Sequence, residues 1–283
     1  MISLTAKGIF TKASLYVYPM NIPLYQVDAF TTQLFTGNPA AVCILEDWIT
    51  DELMQRIAAE NNLAETAFVV KKDDVYELRW FTPMTEVALC GHATLAAAFV
   101  LFEAYEKEAS VINFKTVHSG MLQVTRKDNQ SFTLNFPVDT IKEISLKEDY
   151  ATAFGITPIK AFQGASDVML IYKNQSQIEQ LSPNMSIISR LSSRGVICTA
   201  PGDMVEVVSR WFGPQVGVPE DPVTGSAHTT LALYWCEQLS RSAFTAKQLS
   251  ARGGEIHCLL KENRVELTGG AVLYLKGIIF VVE

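Results

Sequence analysis

Arg79-Trp80-Phe81-Thr82-Pro83 returns later in the chain as Arg210-Trp211-Phe212-Gly213-Pro214, an offset of 131 residues. The first copy leads into Leu89-Cys90-Gly91-His92-Ala93-Thr94 and an apolar run. The second leads into Val223-Thr224-Gly225-Ser226-Ala227-His228 and another apolar run. Gly91 maps onto Gly225 at an offset of 134, which also carries Gly120 onto Gly254 and Lys127 onto Lys261, so three residues have entered the second copy between its Pro and its Gly. A repeat of this length implies two similar domains facing each other across a cleft. Chemistry is expected where the copies differ.

Both apolar runs read as helices, over 92–102 and 227–237. A helix that is apolar on every side is a buried one. In the first half, strands are predicted over 24–30, 40–45, 64–70, 76–81, 111–114, 120–124 and 131–136, with a hairpin turn at Asp128-Asn129. Thr50 caps a further helix with Asp51 and Glu52 in its first turn and Leu53, Ile57 and Ala58 as its apolar stripe. In the second half, strands are predicted over 168–172, 205–212, 256–260, 265–268 and 272–282, with Glu262-Asn263 as a turn. Ser182-Pro183 is predicted to open a helix, as cap and first position. Each half is thus a set of strands around one buried helix, an α+β architecture. The domains are expected over 20–140 and 141–283, with their seam within 137–160 and the last strand free to cross back to the first domain. Residues 1–19 read as an N-terminal extension.

The chain has 283 residues, 48% of them hydrophobic and 19% charged, which is ordinary for a globular protein and enough for two cores. A net charge of -7 without a basic cluster argues against nucleic acid. No run approaches the length of a membrane span. The five cysteines are scattered and form no CxxC pair, which suggests reduced thiols in the cytoplasm rather than a disulfide framework or zinc site.

A Gly opens each buried helix. Unpaired N–H groups at such starts favour an anion, and a glycine lets a ligand approach the main chain closely. Two starts facing one cleft suit a small carboxylate-bearing substrate. The plainer alternative is that each glycine only makes a tight turn.

Four motifs in order carry a specific resemblance: Gly37-Asn38-Pro39-Ala40-Ala41-Val42; Asn62-Leu63-Ala64-Glu65-Thr66-Ala67-Phe68-Val69; Phe81-Thr82-Pro83 with Cys90-Gly91-His92-Ala93-Thr94; and Glu220-Asp221-Pro222-Val223-Thr224-Gly225-Ser226-Ala227-His228. From Met20 onward the chain resembles the PhzF-like (phenazine-biosynthesis) family. The resemblance implies a diaminopimelate-epimerase-like fold, with two pseudo-symmetric domains, each a barrel-like, mostly antiparallel sheet around a central helix. It also implies a homodimer and an isomerase that needs neither metal nor organic cofactor. By motif, Glu65 is the acid/base, with His92, Asp221 and Ser226 as supporting catalytic residues. Cys90, Gly91, Thr224 and Gly225 complete the substrate-binding set.

Each residue also has a plain reading. Glu65 stands before an apolar strand, and partial burial would raise its pKa toward neutrality; otherwise it is an exposed strand-end carboxylate. His92 at a helix start is expected neutral, because the macrodipole disfavours imidazolium; it could equally be a capping or core residue. Asp221 and Ser226 could be a turn residue and a first-turn hydroxyl. Related racemases place one Cys-Gly at each helix start, whereas here Cys90-Gly91 faces Thr224-Gly225 and the second thiol is missing. An epimerase using Cys90, a serine hydrolase built on Ser226 (which lacks the G-x-S-x-G pattern) and a non-catalytic small-acid binding or interaction protein are the rivals.

Overall fold

A computed structural model describes residues 20–127 and 130–281. The 1–19 extension and the Asp128-Asn129 turn lie outside the described residues. The first half contains strands β1 (Met20–Ala29), β2 (Asn38–Leu45), β3 (Glu65–Lys72), β4 (Val75–Phe81), β5 (Glu86–Val87), β6 (Val111–Thr116), β7 (Met121–Arg126) and β8 (Ser131–Pro137), with helices α1 (Asp51–Asn61) and α2 (Gly91–Val100). β9 (Lys142–Ile144) and α3 (Glu148–Phe154) occupy the expected seam. Then come β10 (Lys160–Gln163), β11 (Asp167–Ile171), α4 (Gln175–Glu179), α5 (Met185–Ile188), β12 (Gly195–Pro201), β13 (Val207–Gly213), β14 (Val218–Asp221), α6 (Gly225–Leu239), β15 (Ala243–Gln248), β16 (Gly254–Lys261) and β17 (Arg264–Val281).

The pairings close a ring. β1, β2, β3, β4, β6, β7 and β8 follow one another edge to edge, and β17 joins β8 back to β1. In the second half β10, β11, β12, β13, β15, β16 and the start of β17 follow the same course. β8 pairs with β17, and β9, next along the chain, lies on the free edge of β10. Parallel pairs recur in matching places, β2–β3 and β4–β6 against β11–β12 and β13–β15.

α2 fills the first ring, with Ala93, Ala96, Ala97 and Ala98 fully buried. Alanine combines high helix propensity with a small radius, which lets the strands close tightly around the helix. A π-turn, Leu101–Tyr105, extends this helix. α6 packs against β15, β16 and β17 and belongs to the same continuous core. Outside the rings, α1 buries Met54, Ile57 and Ala58 against β2 and β3, while α3, α4 and α5 cover the outer face of β10–β13. Thr50 Oγ1 accepts from Leu53 N as expected, but Met54 rather than Leu53 is the fully buried residue of α1.

Two expectations are corrected. The strands predicted over 265–268 and 272–282 are one strand, because Gly269 and Gly270 do not turn it. A Cβ on Gly269 would lie 2.5 Å from Phe30 Cδ1, and one on Gly270 2.6 Å from Thr31 O, while Gly270 O accepts from Phe30 N and Thr31 N. The glycines admit the end of β1 to the strand. Gly269→Ala is accordingly expected to lower stability by about 1–3 kcal/mol through overpacking against Phe30, read as a shift in thermal midpoint. Ser182-Pro183 opens no helix; Asn184 caps α5 instead, accepting from Ile187 N, and Asn174 caps α4. β5, β9, β10, β12, β14 and β15 were not anticipated.

Candidate active site

The repeated Arg-Trp-Phe fixes the approach to each central helix. Arg79 forks onto Glu86 with Nε–Oε1 2.7 Å, and Arg210 forks onto Glu220 at the same distance. Each guanidinium also lies over the Phe two residues on. These bidentate pairs tie β5 to β4 and β14 to β13, and so set the segments that lead into α2 and α6. The two helix starts meet: a Cβ on Gly91 would lie 3.8 Å from Gly225 Cα, and one on Gly225 3.8 Å from Gly91 Cα. Neither Cys90 nor Thr224 caps its helix with its side chain. First-turn N–H groups of two dipoles therefore converge on one place.

That place opens into a cavity of about 550 Å³, in the range that holds a small ligand. All eight residues singled out from sequence line it: Glu65, Cys90, Gly91, His92, Asp221, Thr224, Gly225 and Ser226. Glu65, at the start of β3, places Oε2 3.0 Å from His92 Nε2. His92 Nδ1 lies 3.5 Å from Cys90 Sγ and 3.2 Å from Asn38 Nδ2. Asn38 Nδ2 donates to Asp221 Oδ1 at 2.8 Å and to Val223 O at 2.9 Å. Thr224 Oγ1 donates to Asp221 Oδ2 at 2.6 Å, and Gln248 accepts from Thr224 N while donating to Asp221 O. Asn38 follows Gly37, whose φ of +70 and 2.3 Å clearance to Ala29 O admit only glycine.

Two electrostatic expectations are reversed. Burial does push the Glu65 carboxyl up, but the charge and hydrogen bonding of His92, with help from Cys90, outweigh it and hold Glu65 below the ordinary value. Burial likewise pushes His92 down, yet Cys90 and Glu65 carry it well above its ordinary value. Burial and then Glu65 raise the Cys90 thiol to about 11, so it is protonated at neutral pH and the Glu65 carboxylate is the charge that holds the imidazolium. Both shifts favour the charged forms of the pair, carboxylate and imidazolium. Asp221 goes the other way: burial raises it to about 6, against the pull of His92, Thr224 and Asn38.

Donor atoms of Glu65, Cys90 and His92 lie within 4.8 Å of one another, close enough to share a cation. Ser226 Oγ accepts from Arg194 Nη2 at 3.0 Å, and His228 Nδ1 lies 2.8 Å from Thr224 O. The serine thus has no imidazole partner among the described residues, as a hydrolase would need. Asn38, Gln248 and the Arg194–Asp167 pair escaped the sequence reading; only Asn38 stood inside a quoted motif.

Residues 27–277 match the family model described as phenazine biosynthesis-like protein, PhzC-PhzF. An uncharacterized isomerase from Pseudomonas aeruginosa is 45% identical over 91% of this chain and 98% of its own length. The crystal structure of a PhzF-family phenazine biosynthesis protein from Enterococcus faecalis is 44% identical and superposes with a TM-score of 0.90, covering 93% of this chain and all of that one. A hydroxyproline epimerase from Agrobacterium vitis, 12% identical, shares the fold alone, with a TM-score of 0.63 over 93% of both chains.

Proposed function

We propose that this chain, a member of the phenazine biosynthesis-like family, is an isomerase moving a proton on a small unsaturated carboxylate without a cofactor. The observation that carries this reading is the Glu65–His92 pair, 3.0 Å apart, on the wall of a cavity where two uncapped helix starts abut. The N–H groups of those starts receive the substrate carboxylate. Glu65, ionised beside His92, takes a proton from a saturated carbon adjacent to the substrate's conjugated double bond, breaking the C–H bond. The electron pair spreads into the unsaturated system toward the carboxylate, where the N–H groups stabilise it. Glu65 then returns the proton to a different carbon of the same system. The opposite wall offers Thr224, whose hydroxyl donates to Asp221, and no second thiol. That disfavours two-thiol epimerisation.

The test is incubation in D₂O with a panel of unsaturated carboxylates, read by NMR. The expected result is solvent deuterium at carbon in at least one recovered acid. Acids that raise the melting temperature but never exchange would make this a binding protein. The pH profile provides a further check. Asp221 accepts on both oxygens only when ionised, whereas Glu65 is ionised well below that point. An acid limb near pH 6 in kcat/KM is therefore expected, and Asp221→Asn should remove it. Asp221 acts oppositely on stability: the fold prefers its neutral form, so its contribution falls as pH rises from about 4 to about 6.

A homodimer in the cytoplasm completes the proposal. The five free, buried cysteines suit a reducing compartment, and no helix among the described residues is long and apolar enough to cross a membrane. Beyond Gly270, β17 pairs only with β1 among the described residues, and Tyr274, Ile278 and Phe280 are exposed there, Phe280 to 72%. Such an edge is normally covered. Light scattering is expected to give twice the chain mass, and Phe280→Asp to give the monomer. A monomeric wild type would contradict this.

A further inference from the structure

Among the described residues Arg194 is the only lysine or arginine lining the cavity, and the second half is built to hold it. Its Nε donates to Asp167 Oδ1 at 2.9 Å, and its Nη2 donates to Asp167 Oδ2 at 2.5 Å and to Ser226 Oγ at 3.0 Å. Asp167 is buried and also accepts from Trp211 Nε1 at 3.0 Å, while the guanidinium lies 5.4 Å from the Trp211 ring. Trp211 itself fits only because two glycines leave room. A Cβ on Gly195 or on Gly213 would stand 2.2 Å from the indole.

At the 131 offset those glycines correspond to Ala64 and Thr82, and Arg194 corresponds to Leu63. Trp80, the first-half counterpart of Trp211, does not line the cavity, and its Nε1 has no partner among the described residues. The second half has therefore turned its tryptophan toward the site to back a cation. Among the described residues Nη1 of Arg194 has no protein partner, which leaves two donors for a ligand in a guanidinium plane fixed by its fork.

We propose that Arg194 is a specificity-determining residue that binds a second anionic group of the substrate, so that the cavity selects unsaturated dicarboxylates over monocarboxylates. This rests on the carboxylate-binding reading above. One carboxylate sits at the helix starts, and the other meets Nη1 beside Ser226.

The test compares pent-2-enedioate with pent-2-enoate, acids of equal chain length, by calorimetric titration of the wild-type protein. The diacid is expected to bind at least tenfold more tightly. Arg194→Gln should abolish that preference by weakening the diacid far more than the monoacid. Arg194→Lys, which keeps the charge but not the fork, should lose most of it. Equal binding of both acids by the wild type would overturn the proposal and leave the helix-start site standing. If neither acid binds, the proposal falls together with the carboxylate reading. The wild-type ratio decides even if a variant does not fold.

Discussion

Replacing Glu65 by glutamine is expected to slow isomerisation by about 10²–10⁴-fold, the usual contribution of a positioned acid/base. The amide keeps the volume and the place at the head of β3, so substrate binding should change little. What it removes is the proton acceptor. It also removes the charge facing His92 Nε2 at 3.0 Å. Burial, which opposes the charged imidazole, then dominates, and His92 should titrate lower than in the wild type. NMR of the His92 ring checks this independently of any assay. Cys90→Ala is expected to cost less than tenfold, because a thiol held near 11 by burial and by Glu65 supplies almost no thiolate at neutral pH.

The second large effect is on stability. Arg252 reaches from the second half to the first, donating from Nη2 to Asp28 Oδ1 at 2.7 Å and to Thr36 O, and from Nε to Gly37 O at 2.9 Å. Asp28 is buried and also accepts from Phe35 N. Arg252→Met would leave that carboxylate without its counter-charge and the loop before Asn38 without its tie. A loss of about 3 kcal/mol is expected for one partner of a buried pair, which for a chain of this size lowers the melting temperature by roughly 5 °C. Adding Asp28→Asn removes the stranded charge and should recover part of the loss. Calorimetry of the single and double variants reads both effects.

The repeat made the two central helices legible because Arg79 and Arg210 perform the same local task, each forking a glutamate shortly before its helix. Strands whose evidence lies in distant partners were harder to see. β12 begins at an Arg-Gly pair that looks like a turn, yet it is held parallel to β11 and antiparallel to β13. Gly269-Gly270 looks like a break, and only the approach of Phe30 explains it. In the site, motif matching picked out Glu65, His92 and Asp221, but their charge states depend on each other across the fold. Burial alone would have raised Glu65. His92, 27 positions away, reverses the sign. Arg194 left no local signal, since its meaning comes from Asp167, Trp211 and Ser226, which only the assembled sheet gathers.

The proposed proton carrier is a single carboxylate on one wall, Glu65. The most direct measurement is the rate of solvent deuterium incorporation into the substrate by wild type, Glu65→Gln and Cys90→Ala, side by side. Exchange is expected to be nearly lost in Glu65→Gln and largely retained in Cys90→Ala. Exchange that survives Glu65→Gln and disappears with Cys90→Ala would contradict it.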